Sequence, residues 1–146
     1  MKPKPMVYQP KREVGLLYND IFEGYHYYIL TLGTHPTAYI EIPKNNILYG
    51  KHYERIYNMG IYLPVNGGLT YSNNHLWISE STVMRESWFI GWDYAHYGDY
   101  YGADETMPEE LKMKGKKWTT EEIIEECKNA IYDLKQQLEV INSHGQ

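Results

Sequence analysis

The sequence predicts an α+β fold, a small, mostly antiparallel sheet packed against a long C-terminal amphipathic helix. Three observations carry this expectation. First, Ile123, Ile124, Cys127, Ala130, Ile131, Leu134, Leu138 and Ile141 recur at helical spacing. They follow Thr119, Thr120, Glu121 and Glu122, where a threonine with a glutamate three residues on supplies a capping box. Second, Tyr25–Leu32 and Thr37–Ile42 are β-branched and aromatic, and flank the turn residues Gly33, Thr34, His35 and Pro36, as in a hairpin. Third, Ser87–Trp92 is nearly continuous in apolar residues, which places it inside the sheet with both faces covered.

Taken in order, residues 1–14 hold three of the seven prolines and four of the fourteen Lys and Arg, and read as an extended N-terminal arm. Residues 15–146 read as one α+β domain, long enough to bury a core without disulfides. After the hairpin, Pro43 ends the second strand because it cannot donate to a ladder. Residues 44–60 read mainly as loop, with one short helix over Lys51–Asn58. Ile61–Val65 then leads through Asn66, Gly67 and Gly68 into Leu69, Thr70 and Tyr71. An Asn-Gly-Gly run between apolar pieces marks a tight turn with positive φ or a close approach of the backbone. His75–Ser79 is a further short strand, and Gly145 lies just past the closing helix, which periodicity makes about 22 residues long.

Composition narrows the function classes. The formal net charge of −5 argues against a sequence-independent grip on long nucleic acid, which needs many Lys and Arg contacts to phosphate. No apolar run approaches the length of a membrane helix, and no signal peptide is visible, so a cytoplasmic protein is expected. The single Cys127 excludes an internal disulfide and sits on the apolar stripe of the helix, where it reads as core. Tyrosine is over-used, 16 residues against 2 Phe, which fits a half-buried sheet or a surface of phenol rings that stack on flat ligands.

The candidate site follows from the interior strand. Trp92 ends it, and Asp93, His96 and Asp99 come next at a spacing of three, where a rigid sheet delivers them to a loop. Carboxylate and imidazole groups so spaced suit a ligand pocket, a cation, or an acid–base pair in which an aspartate orients the histidine. Gly67 and Gly68, beside Asn66 and Thr70, offer backbone amides as an anion nest, or else form a plain turn. Lys51, one helical turn from Arg55, is a candidate phosphate contact, and Tyr71 a candidate stacking ring. His52 and His75 read as surface or packing residues.

Several of these segments resemble a family of small bacteriophage and prophage proteins. The likeness runs over roughly residues 25–140 and rests on Gly67-Gly68-Leu69-Thr70-Tyr71 with Trp88, Gly91, Asp93, Ala95, His96, Gly98 and Asp99. Ile42-Pro43, Tyr49-Gly50-Lys51 and a closing helix with Thr120, Glu122, Glu126 and Cys127 accompany them. The resemblance implies a viral protein acting in host cytoplasm, and singles out Asp93, His96 and Asp99 together with the glycine turn. Members of the family carry a histidine before the two glycines, where this chain has Asn66. Asparagine hydrogen-bonds a ligand but does not shuttle protons near neutral pH, so binding survives the change more easily than catalysis.

The leading functional expectation is a phage anti-defence protein that sequesters a small nucleotide-derived signalling molecule. Its ligand-binding residues would be Lys51, Asn66, Gly67, Gly68, Thr70, Tyr71, Trp92, Asp93, His96 and Asp99. No catalytic residue, metal or cofactor is assigned. A small nucleotide-like ligand and a second copy of the chain are the expected partners, without long nucleic acid or membrane. The alternatives are a nucleotide or phosphoester hydrolase working through His96 with Asp93 or Asp99, and an inhibitor that binds a host defence protein.

Overall fold

A computed structural model of the chain describes residues 14–33, 35–95 and 116–144. Its elements are β1 (Gly15–Phe22), β2 (Tyr25–Thr31), β3 (Pro36–Ile42), α1 (Tyr53–Asn58), β4 (Tyr71–Trp77), β5 (Val83–Asp93) and α2 (Thr120–His144). The strands form a five-stranded sheet in the order β1-β2-β3-β5-β4, with every pairing antiparallel. With α2 packed on it, the fold is α+β.

The side-chain period of two sorts the sheet into two faces. Tyr27, Ile29, Ala38, Ile40, Ile90 and Trp92 face α2, whose Ile123, Cys127, Ala130, Ile131, Leu134 and Leu138 close the main core. Each large aliphatic side chain buried here contributes roughly 1.5–3 kcal/mol, so this stripe is what holds the helix down. The other face carries a second cluster, Tyr28, Leu30, Tyr39, Leu76 and Phe89, against which Val14 packs. Val14, assigned by sequence to the arm, therefore belongs to the domain, while the rest of that arm lies outside the described residues.

The capping box at α2 is reciprocal: Glu122 N–H donates to Thr119 Oγ1 at 3.2 Å and Thr119 N–H donates to Glu122 Oε1 at 3.1 Å. The anticipated hairpin is present, but Pro36 opens β3 rather than closing the loop, opposite Thr31. As the first residue of a strand it is tolerated. The short helix starts at Tyr53, where His52 Nδ1 accepts the Glu54 N–H at 3.2 Å. The fourth strand starts and ends earlier than the expected His75–Ser79, and β5 reaches back to Val83.

Two features had no sequence counterpart. β1 is an edge strand, joined to β2 by a two-residue turn in which Glu23 and Gly24 both have positive φ, 50° and 85°. The extended loop 61–65 buries Ile61, Leu63 and Val65 and is held by a side chain rather than a strand. Gln137 accepts the Tyr62 N–H and donates to the Tyr62 carbonyl, both at 2.7 Å, so its amide takes the place of a neighbouring backbone.

Candidate functional site

Asp93 stands on the last residue of β5, opposite Thr37 of β3. Its carboxylate is gripped on both oxygens: Oδ1 accepts the Ala95 N–H at 3.0 Å and Oδ2 accepts the Thr70 hydroxyl at 3.1 Å. The glycine turn supplies that hydroxyl. Gly67 and Gly68 adopt φ of 71° and 78°, as the Asn-Gly-Gly run required, and Asn66 Nδ2 donates to the Asp93 carbonyl at 3.3 Å. Thr70 N–H donates to the Gly91 carbonyl at 2.9 Å, which docks the turn onto β5. The sequence-predicted Asn66, Gly67, Gly68, Thr70 and Asp93 thus meet at one end of the sheet.

Trp92 points to the other face. Its Nε1 donates to Glu126 Oε1 at 3.0 Å and to the Tyr94 hydroxyl at 2.9 Å. Tyr94 in turn donates to the same Glu126 oxygen at 2.6 Å, and the Asn66 N–H reaches it at 3.1 Å. One carboxylate oxygen of α2 therefore collects three donors, from the glycine turn and from two positions on or beyond β5. Burial pushes the Tyr94 phenol up from its ordinary pKa, and the bond to Glu126 adds to this. Burial, then the Glu126 charge, does the same to the Cys127 thiol, which remains a core group.

Glu126 is the residue that sequence reasoning gave no role. A signal was present: it lies three residues after buried Ile123 and four before buried Ala130, on the border of the apolar stripe, where a carboxylate faces the sheet. Beside it runs a groove of about 570 Å³ whose walls include Pro64, Trp118, Glu122, Glu126, Tyr132 and Asp133. Its carboxylates favour hydroxyl, amine or cationic groups over phosphate.

The phosphate half of the expected site is arranged otherwise. Gly68 N–H donates to the Val65 carbonyl at 2.9 Å and Leu69 N–H to the Tyr57 hydroxyl at 2.6 Å, so these amides close the turn instead of forming an open nest. A Cβ on Gly68 would stand 3.2 Å from that same hydroxyl, which gives the second glycine a packing reason as well. Lys51 lies at the opposite end of the β3–β5 ladder, where its carbonyl accepts the Trp88 Nε1–H at 3.0 Å and its ammonium donates to the Ile47 carbonyl at 2.6 Å. Five residues of strand, roughly 17 Å at 3.3 Å per residue, separate Trp88 from Asp93. The reason is topological: the loop carrying Lys51 follows β3 off its Ile42 end, and Ile42 pairs with Trp88.

Tyr71 packs edge-on against Tyr39, with ring centroids 5.1 Å apart, and its hydroxyl donates to the His75 carbonyl at 2.5 Å. Both rings flank Gly91, which pairs with Tyr39 on one side and Tyr71 on the other. His96 and Asp99 lie outside the described residues. Among the described residues no group of three His, Cys, Asp or Glu side chains is arranged to hold a metal ion, and no helix is long and apolar enough to cross a membrane. Comparisons of the chain with protein-family models, curated proteins and solved structures return no match.

Proposed function

We propose that the protein binds and sequesters a small nucleotide-derived signalling molecule, and does so at the Asp93 end of β5. The observation that supports this reading is the clamped carboxylate of Asp93, fixed by Thr70 and Ala95 before any ligand arrives. An acceptor held in place by the protein recognises ribose hydroxyls or exocyclic amines with little reorganisation, which favours tight capture and slow release. Asn66 extends the same edge with an amide where the resembling family has an imidazole. The acidic groove along α2 directs the phosphates of such a ligand away from the helix. In the viral setting that the resemblance implies, capture of this kind would silence a host defence signal, and a second copy of the chain would close the pocket.

The test is to incubate the protein with nucleotide signals, cyclic dinucleotides and ADP-ribose derivatives, remove unbound material, denature the protein and identify what is released by mass spectrometry. A ligand recovered unchanged, and lost from Asp93→Asn with its circular dichroism intact, is the expected result. A new product in place of the ligand would instead establish the hydrolase reading. Empty protein across the panel would leave a protein target as the better account.

A further inference from the structure

The opposite end of the sheet carries a second polar constellation that the Asp93 site does not use. Glu41 on β3 accepts the Tyr28 hydroxyl from β2 at 2.8 Å through Oε1, and the Ser87 hydroxyl from β5 at 3.1 Å through Oε2. These three strands are neighbours, so the carboxylate is held from both sides in one plane. His26 stacks on Tyr28 with ring centroids 4.3 Å apart and an interplanar angle of 22°. Tyr28 gives its hydroxyl proton to Glu41, and His26 Nδ1 lies 3.1 Å from the same hydroxyl oxygen. The other ring nitrogen lies 2.9 Å from Asn19 Oδ1.

An independent observation marks the same place. Glu86, immediately before Ser87, adopts a φ of 61° within a strand, a left-handed conformation that costs a side-chain-bearing residue roughly 1–2 kcal/mol. The register slips here: Asn73 pairs with Phe89 but His75 with Arg85, so β5 carries extra residues opposite Asn74. Ser87 follows this bulge and shares the face of Phe89, which is opposite Glu41, so its hydroxyl reaches that carboxylate. A strained bulge and a half-buried carboxylate both cost stability. Beside them a cleft of about 200 Å³ opens, lined by Gly24, His26, Glu41 and Pro43.

We infer that this cleft is a second ligand site, for a planar group with two adjacent N–H donors, such as an amidinium, a guanidinium or the amino edge of a nucleobase. The carboxylate presents its remaining lone pairs in a fixed plane, which suits bidentate donors. The His26–Tyr28 stack and Pro43 supply flat walls, and the volume admits a fragment of that size rather than a whole nucleotide. The site is independent of Asp93 and stands whether or not the proposed sequestration does.

The experiment is a ¹H–¹⁵N NMR titration of the full chain with benzamidine as the cationic probe and guanosine as the neutral one. Binding of either, with shifts centred on residues 24–26, 41 and 86–88, is expected, and the probe that binds identifies the charge of the natural group. Glu41→Gln should weaken it about tenfold or more, the loss of one charge-assisted hydrogen bond, while Asp93→Asn leaves it unchanged. Shifts at these residues with neither probe, or Glu41→Gln binding as well as the parent, overturns the inference. Should Glu41→Gln lose its fold, Ser87→Ala is read in its place. Weaker probe binding then supports the site, and unchanged binding overturns it.

Discussion

The two ends of the β3–β5 ladder solve the same problem, holding a carboxylate against a sheet, in opposite ways. At the C-terminal end Asp93 and Glu126 are fixed by groups far away in the chain: the turn at residues 66–70, and α2. These restraints come from outside the strand, so β5 there keeps regular pairing with both neighbours. At the other end Glu41 is fixed by the strands themselves, and β5 bends at Glu86, next to the Ser87 that bonds to it. One end borrows rigidity from tertiary packing, whereas the other stores strain in the backbone. Mutations at the first end should therefore cost stability, and mutations at the second should cost little or even add some.

The largest effect should come from Glu126→Ala. It removes the acceptor of the buried Tyr94 hydroxyl, at roughly 1–3 kcal/mol for an unsatisfied group, and one of the two acceptors of Trp92 Nε1. A loss of about 3 kcal/mol in denaturant unfolding, with the slope unchanged, is expected. A loss no greater than that of Glu41→Ala would mean that the two ends are held alike. Gly91→Ala should follow at about 2 kcal/mol, by overpacking. A Cβ there would lie 2.6 Å from the Ala38 carbonyl and against the Tyr39 ring. Trimming Tyr39 to leucine should not restore the loss, because the carbonyl cannot move out of the way.

How much of this could be seen in the sequence depended on where the restraint lies. Helix α2 was legible because its apolar residues follow the helical period, β2 and β3 because β-branched and aromatic runs flank turn residues, and the glycine turn because positive φ has a residue signature. Asp93 with Asn66 and Thr70 was legible because a strand end and a glycine turn are both local signals. β1 was not: Leu16, Leu17, Tyr18 and Ile21 are all exposed to a large degree, so an edge strand shows no alternation. Lys51 was placed with the wrong end of the β3–β5 ladder, since local sequence does not say at which end of a sheet a loop lands. The bend at Glu86 left no trace either, because a left-handed glutamate is imposed by the register of the two neighbouring strands.

Tyrosine ionisation gives a pH readout of the well-packed end. Burial, then the neighbouring Tyr39, pushes the Tyr71 phenol up to about 12, and burial, then Asp93, also raises Tyr39. Below pH of about 10, the ordinary tyrosine value, both groups are protonated in folded and unfolded chains, and their contribution is fully present. As pH rises from there toward 12, the unfolded chain releases its protons first, so stability falls. Tyrosinate absorbance should show an early exposed fraction, and a late fraction that appears together with loss of near-ultraviolet circular dichroism. Titration of all 16 tyrosines in one step near the ordinary value would contradict the packing around Gly91. At the strained end Glu41→Gln should cost only about 1 kcal/mol, since a neutral amide oxygen still accepts one of the two hydroxyls.

The smallest effect has the opposite sign and tests the comparison most directly. Glu86 is exposed, and among the described residues its side chain makes no hydrogen bond that would offset the left-handed backbone. Glycine adopts that conformation freely, which recovers roughly 1–2 kcal/mol, while its greater freedom in the unfolded chain returns roughly 0.5–1 kcal/mol of the gain. Glu86→Gly should therefore stabilise the protein by about 0.5–1 kcal/mol, seen as a higher unfolding midpoint in thermal melts. Ser87 should keep its bond to Glu41, because the bend itself is retained. The matched change at the regular end, Asp93→Gly, removes the carboxylate that holds Thr70 and Ala95 and should destabilise. A destabilising Glu86→Gly would mean that the bend is held by interactions of the glutamate itself. The difference between the two ends would then be one of packing alone, with no strain stored at residue 86.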